Sequence, residues 1–137
     1  MQPLRYLFVV LAVLFVAGVA YQVFLAGMAV FGAGQWSNHV DFGYLVTGIP
    51  LLFIVAALLA RAGRATVWLT VGTLIVAQVQ TILPWFKEDL PWVSALHPVN
   101  AMVIFGLGVV IVRRAVALAR SVAAAPEPGA DAARVSA

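Results

Sequence analysis

Four long apolar runs, at about 7–31, 40–60, 65–85 and 92–112, are separated by short polar stretches. A hydrocarbon core of about 30 Å needs about 20 helical residues to cross, and each run is long enough for one crossing. The breaks Gly-Ala-Gly-Gln-Trp-Ser-Asn (32–38), Arg-Ala-Gly-Arg (61–64) and Phe-Lys-Glu-Asp-Leu-Pro (86–91) have the length of tight helix–helix turns. The pattern predicts an all-α, integral membrane, up-down four-helix bundle over residues 1–120. The Ala-, Pro- and Gly-rich stretch 121–137 has little to bury and is expected to be disordered. The first run also follows Arg5 and contains Gly18-Val19-Ala20, a passable cleavage site. It continues apolar through Phe31, longer than a secretory signal needs, so a retained span is expected.

Composition agrees with the pattern. Hydrophobic residues make up 64% of the 137 and charged residues 9%, too few charges to cover a water-soluble globule. The net charge of +3 does not imply nucleic acid, because six arginines flank apolar runs and form no basic groove. Arg5, Arg61, Arg64, Arg113, Arg114 and Arg120 fall at one set of span ends, whereas Lys87, Asp41, Glu88 and Asp89 fall at the other. The distribution of positive charge therefore predicts that both termini are cytoplasmic, with Trp36, Trp85 and Trp92 at the outer interface. There is no cysteine, hence no disulfide, no thiolate metal site and no covalent haem attachment. No serine nucleophile, carboxylate dyad or phosphate loop is visible. Gly106-x-Gly108 follows no strand and is not a nucleotide fingerprint.

The candidate chemistry rests on the only two histidines. His39 and His97 each open an even-numbered span on the outer side and lie 58 residues apart (97 − 39), the length of a two-helix repeat. In an up-down bundle the second and fourth helices run parallel, adjacent or diagonal, so these residues can face one another across the core. Two such imidazoles suit the iron of one haem, with both axial positions filled. Gly43 and Ala101, one turn deeper at i+4, are small and would leave a flat gap beside each ligand. Leu45, Val46, Ile104 and Phe105 are candidate walls. Gln22, Gln78, Thr81 and Asn100 are candidates to orient imidazoles or bind propionates, and Lys87 is the outer-side cation for a propionate. Gln22, Gln78, Gln80, Thr47 and Thr70 are equally candidates for ordinary interhelical hydrogen bonds.

Competing readings are two wet interfacial histidines without a ligand, or a metal held by His39, His97 and Asp41 or Glu88. Pro98 predicts that His97 either caps the fourth helix or sits at a kink in one starting near Pro91. Helical rise gives about 33 Å from His39 to Arg61 but about 24 Å from His97 to Arg113, a mismatch that tilt or snorkelling has to absorb.

The stretch from Gln78 to Met102 (QVQTILPWFKEDLPWVSALHPVNAM) resembles the third-and-fourth-helix region of haem A synthase, and Asn38-His39 resembles the opening of that family's second helix. The chain also resembles small four-span proteins with a Leu-His-Pro-Val-Asn segment, here residues 96–100. The synthase is built of two four-helix halves, each with an outer histidine pair, and this chain corresponds to one half. The family's glutamate before the second-helix histidine has no match, since Ser37 and Asn38 stand there, and its following arginine is replaced by Val40. The resemblance therefore implies ligation of one haem by His39 and His97, without the methyl-group oxidation.

The resulting expectation is a small b-type membrane cytochrome with one non-covalent haem b near the extracytoplasmic surface of the cell membrane. It would transfer single electrons rather than convert a substrate. Its expected surroundings are the lipid bilayer, a redox partner that is either quinone or protein, and a second copy of the chain as a candidate oligomer. The alternatives are a haem carrier or sensor and a cofactor-free structural subunit of a larger complex.

Overall fold

The computed structural model describes residues 2–123. Four helices are long and apolar enough to cross a membrane. α1 spans Gln2–Val30, α2 Trp36–Leu59, α3 Arg64–Ile82, and a 3-10 turn at Leu83–Phe86 prolongs α3. A short α4 at Pro91–Ser94 precedes α5 at Leu96–Ala123. α1 packs against α2 and α5, α2 against α3, and α3 against α5. The four long helices thus form a ring in which α2 and α5 are diagonal.

Local chemistry sets the boundaries. α1 is followed by Gly32 in the left-handed region (φ 71°), and Ala33 N–H donates to Met28 O at 2.8 Å and closes the last turn. α2 ends in the same way, with Ala62 N–H donating to Ala57 O at 2.9 Å, but the left-handed residue is Arg61 (φ 52°). A Cβ disfavours that conformation. Arg61→Gly is therefore expected to raise stability by about 0.5–1 kcal/mol, read as a higher thermal midpoint in neutral detergent. A lower midpoint would mean that the Arg61 side chain makes contacts that outweigh the backbone cost.

Some expected limits move. α2 starts at Trp36 rather than 40, so His39 lies inside its first turn. Pro98 falls in the first turn of α5, where its missing N–H has no helical acceptor to lose, and the break comes earlier, at Ala95 between α4 and α5. α5 runs past 112 to Ala123, because Ala, Val and Arg are compatible with helix and nothing there stops it. Residues 121–123 are thus helical, against the expected disorder, and the rest of that expectation, 124–137, lies outside the described residues. The longer α5 also removes the depth mismatch. The repeat counterpart of Arg61 is Ala119, next to Arg120, and Arg113 and Arg114 sit within the helix.

The buried residues repeat with the histidine offset. On α1 they are Phe8, Ala12, Phe15 and Val19, and on α3 Thr66, Thr70, Thr73 and Ala77, each 58 positions later. Val46, Pro50, Phe53 and Ala57 of α2 answer in the same way to Ile104, Gly108, Ile111 and Ala115 of α5. The bundle is therefore two helical hairpins in one packing register, α1–α2 and α3–α5. The side chains differ more than the register. Phe53 meets Phe15 edge-on with centroids 5.1 Å apart, while Thr70 and Thr73 donate their hydroxyls to carbonyls of their own helix, Val67 O at 2.7 Å and Leu69 O at 2.8 Å. These threonines do not bond between helices. At Gly108 an added Cβ would lie 2.9 Å from Val16 Cγ2, so this position needs glycine for α5 to approach α1.

At the arginine end, Arg5 Nη1 donates to Leu118 O at 2.8 Å and ties α1 to α5. The outer face of the ring is apolar on every side, with Leu14, Phe24, Leu51, Ile75 and Met102 all exposed. Such a surface suits lipid contact and would aggregate in water.

Candidate functional site

The end of the bundle opposite the arginines brings the histidines together. The imidazoles of His39 and His97 meet across the α2–α5 diagonal with ring centroids 6.1 Å apart and planes at 65°. Both rings are half-buried. Each is held by the preceding helix of its own hairpin. His39 Nδ1 bonds Gln22 O at 3.1 Å and His97 Nδ1 bonds Gln80 O at 3.0 Å, both across a separation of 17 residues. A carbonyl can only accept, so Nδ1 carries the hydrogen in both rings, and in the neutral ring Nε2 is left as a bare lone pair. A backbone carbonyl on one ring nitrogen is the usual second partner of a metal-ligating histidine.

The supports are asymmetric. Gln22 Nε2 donates to His39 O at 2.5 Å, while its Oε1 is buried without a donor. In the second hairpin, Gln80 Oε1 accepts from Asn100 Nδ2 at 2.8 Å, and Asn100 Nδ2 also reaches Val76 O at 3.1 Å. The counterpart of Asn100 in the first hairpin is Phe42, which has no amide to give. Asn100→Leu should leave Gln80 Oε1 in the same orphaned state, at a cost of about 1 kcal/mol. An unchanged thermal midpoint in detergent would show that this bond contributes nothing.

Gln22 thus reaches His39 through its backbone carbonyl, and Asn100 bonds Gln80 rather than an imidazole. Gln78 is exposed and donates to Thr47 O at 3.1 Å, away from the imidazoles. Its place is taken by Gln80, two residues on and therefore on the inward face. Applying the histidine offset to Gln22 would have found it. Thr81 bonds Gln78 O within its own helix at 2.8 Å. Lys87 is exposed and pairs with Glu88 at 3.6 Å. Beside Gly43, a Cβ would lie 2.6 Å from Gln22 Nε2, so the side chain of Gln22 occupies the space that its smallness leaves. Ala101 is half-buried one turn below His97. Val46 and Ile104 close the core two turns below the histidines, but Leu45 and Phe105 face outward and form no wall there. Trp36, not anticipated at the site, stacks edge-on against His39 at 5.9 Å because it lies three residues earlier on the same helical face.

Among the described residues, no three His, Cys, Asp or Glu side chains come together to hold a metal. The arrangement of both histidines with Asp41 or Glu88 is therefore not formed: both acidic residues are exposed, and Glu88 pairs with Lys87. The donor set that remains is two imidazoles. A metal–imidazole bond is about 2 Å and the ring centre lies about 1 Å behind the nitrogen, so two rings have centres about 6 Å apart when they stand on opposite sides of one metal with both Nε2 aimed at it. The observed separation fits that distance. Ring planes sharing one axis take any mutual angle, so 65° is compatible as well.

A protein-family model described as a family of unknown function, DUF6220, matches residues 22–85. The match includes Gln22, Trp36, His39 and Gln80 and stops short of His97 and Asn100. Neither a curated protein nor a solved structure matches the chain.

Proposed function

We infer that the chain is a small b-type membrane cytochrome in which His39 and His97 hold one non-covalent haem b near the extracytoplasmic surface. The observation that carries this reading is the facing pair of imidazoles, 6.1 Å apart, each with Nδ1 committed to a backbone carbonyl. The sidedness rests on the charge distribution, with six arginines in the other half of the bundle, which favours both termini in the cytoplasm.

The chain's own groups do four things here. The carbonyls of Gln22 and Gln80 fix the tautomer of each ring and leave both Nε2 lone pairs for a ligand. Asn100 braces Gln80 and thereby the carbonyl under His97. Trp36 covers the outer edge of His39. Val46 and Ile104, each only 4% exposed, keep water from entering the core below the pair. When bound, the haem would be held by His39 and His97 and would supply a one-electron iron couple suited to electron transfer.

The test is the absorption spectrum of protein purified in detergent from haem-replete cells, oxidised and then reduced with dithionite. Sharp six-coordinate Soret and α bands are expected at one haem per chain. A stable protein that stays colourless after haem is added would instead favour a cofactor-free structural subunit. Rapid transfer of haem to apomyoglobin would favour a carrier.

A further inference from the structure

At the opposite end of the molecule the turn between α2 and α3 borders a cleft of about 490 Å³, lined by Leu58, Arg61, Gly63, Arg64, Val67 and Trp68. Both arginines are exposed, and neither has a carboxylate within ion-pair distance among the described residues. The acidic side chains Asp41, Glu88 and Asp89 belong to the other end of the bundle. Arg61 moreover occupies a left-handed position where glycine is favoured, so the chain keeps a guanidinium at the mouth of the cleft against its backbone preference. Arg64 and Trp68 are four residues apart and share one face of α3. Below them the cleft continues onto the apolar outer surface, where Leu58 is 59% and Trp68 66% exposed. Two guanidinium groups without an ion-pair partner among the described residues, an interfacial indole beneath them and an apolar flank beneath that follow, in order, the phosphate, glycerol and acyl chain of a phospholipid.

We propose that this cleft binds an anionic phospholipid, with its phosphate between Arg61 and Arg64, its glycerol region against Trp68 and an acyl chain along Leu58 and Val67. Arginine suits the role because its planar fork donates two hydrogen bonds to phosphate, where lysine offers only a point charge. The cleft and the histidine pair lie at opposite ends of the bundle, so the lipid site holds or fails independently of the haem.

Trp68 reports on it directly. With Trp36, Trp85 and Trp92 changed to phenylalanine, the protein keeps Trp68 as its single indole and can be reconstituted into phosphatidylcholine vesicles containing a minor fraction of phosphatidylglycerol. Brominated acyl chains are placed on one lipid class at a time, at equal mole fraction. Brominated phosphatidylglycerol should quench Trp68 with a relative binding constant about five-fold above that of brominated phosphatidylcholine, the factor one cation contributes at a membrane surface. Arg61→Gln with Arg64→Gln should bring the ratio to one. The Arg61→Lys, Arg64→Lys pair, which keeps the charge should the glutamine variant fail to insert, should give an intermediate ratio. Added inorganic phosphate should leave the preference unchanged. Equal quenching by the two lipids without any arginine change overturns the proposal, as does displacement of the brominated anionic lipid by inorganic phosphate alone.

Discussion

His39→Ala and His97→Ala are each expected to abolish the six-coordinate spectrum of the purified protein, and neither should unfold it. Under the proposed reading each imidazole would supply one of the two bonds that hold the haem, and the sequence has no cysteine to tether the group covalently once one bond is lost. The fold should survive because both rings sit in the first turn of their helices and are only half-buried, so truncation removes one hydrogen bond each, to Gln22 O or Gln80 O. In a membrane protein such a bond contributes about 0.6 kcal/mol. Helicity by circular dichroism and the elution volume in detergent should therefore match the parent while the Soret band is lost. Two variants that keep the parent spectrum would remove the histidines from any role as ligands, and with them the cytochrome reading.

Phe53→Ala should have the largest effect on stability, a loss of about 2–4 kcal/mol. Phe53 is fully buried at the centre of an aromatic cluster, edge-on to Phe15 at 5.1 Å and to Phe8 at 6.3 Å. Helices already in lipid gain little from hydrophobic burial, so this packing and the cavity its loss would leave account for most of the cost. Truncation of Phe24, 56% exposed on the outer surface, should by contrast stay within about 0.5 kcal/mol. The check is thermal unfolding in neutral detergent followed by circular dichroism. A loss below about 1 kcal/mol at Phe53 would mean that the interior is not packed around that ring. Because Phe53 lies two turns below the Val46 layer, its truncation should lower the midpoint without moving any haem band.

The helices were legible because their signal is long and local. Runs such as 7–31 admit one reading at that length, and Gly32 and Gly63 mark turns where positive φ is needed. The limits were less legible where they depend on a few hydrogen bonds. The start of α2 at Trp36 and the continuation of α5 to Ala123 are invisible to hydropathy, which reports where a segment is apolar and not where its backbone stops being helical. At the site, the histidines and Asn100 stood out as rare polar residues. Gln80 was hidden by Gln78, because both are glutamines near the histidine end of α3 and only helical phase distinguishes them.

The amino-acid order by itself determined the number of long helices, their alternation, the end that carries the arginines, and the 58-residue offset that pairs His39 with His97. Those properties follow from composition and spacing along one dimension. Only the tertiary structure decided that α2 and α5 stand diagonally, that their imidazoles meet at 6.1 Å, and that Gln22 fills the space beside Gly43. Helix rotation and ring order are set by the fit of side chains such as Phe15 against Phe53 and Gly108, contacts between residues far apart in the chain that no local pattern encodes.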